Sequence, residues 1–180
     1  VLDRYTMLTG RQPLPPRWAL GYIQSRFGYR SEAEARQVVA DLQEAGFPLD
    51  ALILDLYWFG EPGDMGDLDW YSPRFPDPQG MIADLRDQGV KTVLITEPYF
   101  TTTSRNYGPL LGQGFLGKTP GGQPYVLINF WVGPAALLDL TNPGAQSWLW
   151  PKYRARIEEG VAGWWSDLGE PELHPQDMQH

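Results

Sequence analysis

The chain has 180 residues with 14 Lys plus Arg against 22 Asp plus Glu, a net charge of −8 that argues against nucleic acid or an anionic membrane surface as a main partner. The absence of cysteine excludes disulfides and thiolate zinc sites and leaves the redox compartment open. Eight Trp, nine Tyr and seven Phe are a heavy aromatic load, which suits either an aromatic core or rings stacked on the apolar faces of a neutral sugar.

The opening, Val1 to Gly10, reads neither as a signal peptide nor as an initiation sequence, and the closing Asp177-Met178-Gln179-His180 lacks a terminating element. Both ends are therefore expected to be cuts in a longer chain. No stretch is long and apolar enough for a membrane span. A strand is expected over about Ala19 to Ser25. Ser31 then reads as an N-cap, with Glu34 closing a capping box. Ala35, Val38, Val39, Leu42 and Ala45 form an apolar stripe at helical spacing, and Gly46 and Pro48 end that helix. The run Ala51-Leu52-Ile53-Leu54-Asp55 is nearly all apolar, as a parallel strand buried on both faces requires.

The second helix starts at Asp77, with Pro78 at its first position, and stops at Gly89; the strand Lys91 to Glu97 follows. Between Pro98 and Thr141 lies a long Gly-, Pro- and aromatic-rich stretch, a length that signals a functional loop or a small insert. Gly121-Gly122 suits a hairpin turn between Phe115-Leu116 and Tyr125 to Ile128. The third helix starts at Asn142, with Pro143 next, and should kink or break at Pro151. Its partner strand is Val161 to Asp167. The order βαβαβαβ means a parallel sheet with crossover helices, an α/β fold.

Asp55, Glu97 and Asp167 each close a predicted parallel strand, the end at which barrels and doubly wound sheets bind ligands. By strand alternation Ile53 shares a face with Asp55, Ile95 with Glu97, and Trp165 with Asp167. An acid above an apolar or aromatic neighbour, three times over, suits a sugar pocket, although a strand-end Asp is also a common cap. Glycoside hydrolysis commonly uses two carboxyl groups, about 5 Å apart in retaining enzymes.

Several segments carry a family resemblance. Tyr5 to Gly10 and Leu14 to Gly21 look like a lead into a first barrel strand, and Ser25-Arg26-Phe27-Gly28-Tyr29 like its end. Phe75-Pro76-Asp77-Pro78, with Met81, Leu85 and Gly89-Val90-Lys91, fits a second helix. Asp139-Leu140-Thr141-Asn142-Pro143 resembles a D-x-T-N-P signature. Trp165-Ser166-Asp167-Leu168-Gly169-Glu170-Pro171 resembles a W-x-D-M-N-E-P nucleophile motif. In this order they resemble glycoside hydrolase family 31, the α-glucosidase family, over nearly the whole chain.

The resemblance implies a (β/α)₈ TIM barrel, of which residues 1–180 supply roughly strands one to four as one partial catalytic domain, with the insert at about 98–141. It implies retaining hydrolysis of α-linked gluco-oligosaccharides, with Asp167 forming a covalent glycosyl-enzyme. Asp55 matches the aspartate that binds sugar hydroxyls at subsite −1, and Trp131, Trp165 and Ile95 match pocket residues. Phe27 stands where many members carry Trp. Glu97 replaces a commoner Asp and is expected behind the pocket or on its floor. Glu170 is carried over as a structural acid supporting the nucleophile loop. Arg26, by its own place at the first strand end, reads as an ion-pair partner rather than a substrate ligand. No cofactor and no metal are implied.

Two departures matter. Asp-Leu-Gly-Glu-Pro-Glu, with Ile95-Thr96-Glu97-Pro98, is similar to members that transfer 4-linked α-glucosyl units, so an oligosaccharide 4-α-glucosyltransferase is the alternative. The family's acid/base aspartate lies on a later strand, beyond His180, so these residues alone should be inactive. They should pair with the missing half-barrel or self-associate. A non-catalytic carbohydrate-binding module and a purely structural half-barrel are the rivals from another class. His174 and His180, with Glu172 and Asp177, lack recognised zinc spacing. The glycine-rich pieces Gly112 to Gly114 and Gly121-Gly122 read as turns, not phosphate loops. Trp148 and Trp150 read as core. Trp58, Phe59, Trp70 and Tyr71 could wall the pocket or pack the loop.

Overall fold

The computed structural model describes residues 1–180. Helix α1 (Leu2–Thr9) leads in, and a 3₁₀ turn (Arg17–Leu20) precedes strand β1 (Tyr22–Gln24). Then come α2 (Glu32–Glu44), β2 (Leu49–Leu54), α3 (Pro78–Asp87) and β3 (Lys91–Thr96). An insert holds β4 (Tyr99–Thr101), α4 (Tyr107–Gln113) and β5 (Ala135–Leu137), before α5 (Pro143–Glu158) and β6 (Gly163–Ser166).

Strands β1, β2, β3 and β6 form one four-stranded parallel sheet in that order. Ile53 pairs with Val93, and Ile95 with Trp165, so side chains at matched levels project to the same face. Residues Leu52, Leu54 and Leu94 are fully buried, whereas Ile53 is only half-buried on the opposite, less covered face. This is the curled, helix-backed sheet of a partial (β/α) barrel.

The three crossover helices start where their caps place them. Ser31 Oγ accepts from Glu34 N at 3.2 Å. Asp77 Oδ1 accepts from Gly80 N at 3.0 Å, and Asn142 Oδ1 from Gly144 N at 2.8 Å. Proline follows the cap in the last two, where its missing N–H costs nothing. Ser31→Ala should cost about 1 kcal/mol of stability, read as a lower denaturation midpoint at unchanged slope. The expected capping box is displaced by one residue. Glu34 Oε2 accepts from Arg30 N at 2.7 Å rather than from Ser31, because its Oε1 is held by Arg26.

Three other expectations change. The first strand is shorter than Ala19 to Ser25: after Pro15-Pro16 the chain closes a 3₁₀ turn, with Ala19 N donating to Pro16 O at 3.0 Å, and extends only from Tyr22. Helix α5 is not interrupted at Pro151. Pro151 and Ser147, whose carbonyl loses its partner, are both exposed, so solvent can satisfy what the proline removes. The chain does turn at Gly121-Gly122, with Gly122 N donating to Thr119 O at 2.9 Å, but only the residues next to the turn pair across it: Lys118 bridges Pro124, and Tyr125 N donates to Gly117 O at 2.8 Å. Farther out, Leu116 bridges Leu138 and Leu127 bridges Ala135, so these two lie against the β5 region rather than against each other.

The main core centres on Trp58, fully buried, with edge contacts to Phe59, Trp70 and Trp164 at ring distances of 5.4 to 6.4 Å. Its Nε1 donates to Ile95 O at 3.0 Å. Trp58, Phe59 and Trp70 therefore pack the loop after β2, with Trp70 half-buried against this core, instead of walling a pocket. A second core joins the insert to α5 through Phe100, Leu110, Leu116, Leu138 and Ala145. Trp148 packs against it, whereas Trp150 is exposed, contrary to a core assignment.

Candidate active site

Asp55, Glu97 and Asp167 each occupy the residue just after a parallel strand, at the same end of the sheet. They line one cavity with Phe27, Trp131, Leu56, Leu168 and Glu172. Phe27 and Trp131 form its aromatic lip, 63% and 49% exposed, with ring centroids 6.3 Å apart. Phe27 is set there by the turn at Gly28, whose φ is +68°; a Cβ at Gly28 would fall 2.1 Å from the Tyr57 ring. Tyr57 itself makes an edge contact with Phe27 at 6.4 Å.

The two aspartates are held alike. Leu56 N donates to Asp55 Oδ1 at 2.7 Å, and Leu168 N donates to Asp167 Oδ1 at 3.0 Å. Asp167 N donates in turn to Thr96 O at 3.0 Å, which carries the β3–β6 ladder up to the acid. Leu168 takes the left-handed conformation (φ 50°), as does Tyr57 (φ 49°) on the loop after Asp55. Such strain costs about 1–3 kcal/mol per residue and is found where a loop must aim functional groups.

Burial sets the electrostatics. Glu97 is 9% exposed, and burial, followed by the charges of Asp167, Glu172 and Asp55, pushes its carboxyl up to about 8. Asp55 is also raised, first by burial, with the Leu56 N–H working against the shift and Asp167 adding to it. The cavity lining contains no Lys, Arg or His.

Not every expected residue reaches the cavity. Ile95 lies on the Asp55 face of the sheet but is 1% exposed and sits in the core beneath the cavity. Trp165 pairs in register with Ile95 and is 37% exposed, without lining the cavity. Arg26 pairs with Glu34 at 2.6 Å and lies over the Tyr29 ring, and it does not line the cavity. Glu170 is exposed, and its carboxyl makes no hydrogen bond or ion pair. Within these residues, then, no contact of Glu170 braces the loop after Asp167.

Leu56, Leu168 and Glu172 are the lining residues that sequence reasoning passed over. The two leucines directly follow strand-end aspartates, which was the available signal. Glu172 is placed by a long-range clasp: Tyr99 OH accepts from Leu173 N at 2.8 Å and donates to Leu173 O at 3.2 Å. The other polar residues near the end of the chain lie outside this cavity. His174 Nε2 lies 2.8 Å from His180 Nε2, His180 Nδ1 lies 3.3 Å from Asp139, and Asp177 accepts from Tyr125 OH at 3.0 Å. Asp139 and Thr141 make the turn that launches α5, with Thr141 Oγ1 donating to Asp139 Oδ1 at 2.6 Å.

Four parallel strands with crossover helices and acids gathered at the strand ends define a piece of a (β/α) barrel bearing its site at the usual face. Residues 12–180 match the model of the glycosyl hydrolases family 31 TIM-barrel domain. The chain belongs to glycoside hydrolase family 31. It is 34% identical over 175 residues to alpha-glucosidase 2 of Bacillus thermoamyloliquefaciens, covering 96% of this chain and 22% of that protein. It is 31% identical to an alpha-glucosidase of Saccharolobus solfataricus, covering 95% of this chain and 24% of that protein. Among solved structures it superposes on a Flavobacterium johnsoniae family 31 dextranase complexed with glucose, with a TM-score of 0.90 and 28% identity, over 99% of this chain and 23% of that one. The chain thus spans under a quarter of the length of these relatives.

Proposed function

We propose that these residues form the nucleophile-bearing part of a retaining α-glycosidase site that acts on α-linked gluco-oligosaccharides. The observation that carries this reading is the single cavity that joins Asp167, Asp55 and Glu97 to the Phe27–Trp131 lip. A carboxylate oxygen of Asp167 attacks the anomeric carbon as the bond to the leaving sugar oxygen breaks, and that oxygen takes a proton from an acid. Water then attacks the same carbon and releases Asp167. Asp55 accepts hydrogen bonds from sugar hydroxyls, and the exposed rings pack the apolar sugar face.

The acid/base is expected from a later barrel strand, so the 180 residues alone are inactive on this reading. The cavity volume of about 240 Å³ accords with that, since ligand pockets usually start near ~300 Å³. The opened sheet face is expected to be covered by the rest of the barrel, or by self-association when the segment stands alone. A second reading replaces water with a sugar hydroxyl, making an oligosaccharide 4-α-glucosyltransferase; Glu172, the last residue of the Asp-Leu-Gly-Glu-Pro-Glu run, lines the cavity and favours it.

The test is labelling of the natural polypeptide by a cyclitol epoxide, with products from maltotriose analysed in parallel. An adduct on Asp167 with glucose released supports the hydrolase, and an adduct with longer oligosaccharides supports the transferase. Reversible binding without an adduct would leave a carbohydrate-binding module. Trp131→Ala should raise KM by about tenfold with little change in kcat, as expected for the loss of about 1.4 kcal/mol of ring contact.

A further inference from the structure

The three strand-end acids differ in one covalent detail. Asp55 and Asp167 precede leucines whose N–H groups donate back to the carboxylates. Glu97 precedes Pro98, which has no N–H to give. Its Oε2 is buried without any partner. That oxygen has lost water and gained no donor, a cost that falls on the charged form.

Its surroundings are acidic. Thr96 pairs in register with Ser166, so Glu97 and Asp167 leave adjacent parallel strands side by side, about 4.8 Å apart by strand spacing. Asp55 and Glu172 face the same cavity. On the other side Glu97 borders a smaller cavity with Thr96, Phe100 and Tyr153, whose hydroxyl lies 2.9 Å from Thr96 Oγ1. Tyr99, on β4, has its hydroxyl engaged by Leu173. Both tyrosines are pushed up by burial and so carry no charge near neutral pH. Neither cavity is lined by Lys, Arg or His. Two like charges on neighbouring strands, with no cation between them, favour one proton shared into the pair.

We propose that Glu97 is carried as a neutral carboxylic acid and serves as a positioning residue, offering a hydrogen-bond donor beside three carboxylate acceptors and sparing Asp167 a second charge at its side. The charge state stands on the geometry alone, while the positioning role rests on the glycosidase reading above. Burial and the three neighbouring acids hold the carboxyl near 8, so the donor is present through the neutral range and lost in mild alkali.

Infrared difference spectra of the natural polypeptide, wild type against Glu97→Gln, test the charge state. A protonated-carboxyl band should be present at neutral pH, absent in Glu97→Gln, and fade around pH 8. In Asp167→Asn it should fade at lower pH, because the nearest negative charge is gone; this comparison holds even if Glu97→Gln fails to fold. The pH profile of kcat/KM on 4-nitrophenyl α-glucoside tests the role. Glu97→Gln, neutral at every pH, should lack the alkaline decline in kcat/KM that wild type shows at about tenfold per pH unit, whatever its activity at neutral pH. A band that is missing in wild type at neutral pH, or unmoved in Asp167→Asn, overturns the neutral acid. A band that behaves as stated, with superimposable pH profiles, overturns the positioning role. If wild type turns over no α-glycoside, the glycosidase reading falls while the band still decides the charge of Glu97.

Discussion

Asp167→Asn should lower kcat/KM of the natural polypeptide on α-glucosides by about 10⁴-fold or more, the scale on which hydrolases lose activity when a nucleophile is removed. That is roughly 5.5 kcal/mol of transition-state stabilisation. The reason lies in what an amide can and cannot do at this position. Asparagine keeps an oxygen for the Leu168 N–H and keeps the backbone bond to Thr96, so the loop should hold its shape. It lacks the charged oxygen that forms the bond to the anomeric carbon. Substrate affinity should therefore change much less than turnover, and cyclitol epoxide labelling should disappear. Asp55→Asn offers the comparison, since its amide also keeps the local bond to Leu56 N while its loss falls on hydroxyl binding. If Asp167→Asn retained turnover near wild type, the nucleophile would have to be another residue, and the family motif would have lost its usual meaning here.

Stability should fall as pH rises from about 4.5 to about 8, and Glu97→Gln should remove most of that slope. The sign follows from where the proton sits. Glu97 titrates near 4.5 when unfolded and near 8 when folded, so between those values the native state binds the extra proton. Its contribution is fully present below 4.5 and lost as pH climbs through the folded value. The whole effect is on the order of 5 kcal/mol, taking each pH unit of separation as about 1.4 kcal/mol. Asp55, raised in the same direction, adds to the slope at its acidic end. Urea midpoints measured across this range check the result, wild type declining and Glu97→Gln remaining nearly flat. A wild-type profile that rose over the same interval would mean that Glu97 has found a cation or a hydrogen-bond donor.

Much of the scaffold was legible because its signals are local. Ser31, Asp77 and Asn142 each cap a helix through a side-chain bond to an N–H two or three residues ahead. The apolar runs before Asp55, Glu97 and Asp167 became neighbouring parallel strands, which alone brings their closing acids to one end of the sheet. The errors are equally local in origin. Pro151 carries a strong helix-breaking signal, and only its place on the exposed side of α5 makes it harmless. Gly121-Gly122 does turn the chain and Lys118 pairs across it with Pro124, but the choice of partner for Leu116 and Leu127, farther out, belongs to the β5 region.

The sequence by itself determined the order of the elements, the caps that start them, the acids that close the strands and, in the motifs around Asp139 and Asp167, the family. Even the distinct character of Glu97 is written there, in the proline that follows it. Only the tertiary structure decided which aromatics line the cavity and which fill the core: Trp131 and Phe27 reach the lip, while Trp58 is sealed against Ile95 O. It also decided that Glu172 joins the site, because Tyr99 clasps a residue 74 positions away. Caps and strand patterns arise from neighbours along the chain. Burial, charge coupling and long-range clasps arise from segments that meet only after the sheet has formed, and no local pattern encodes which segments those will be.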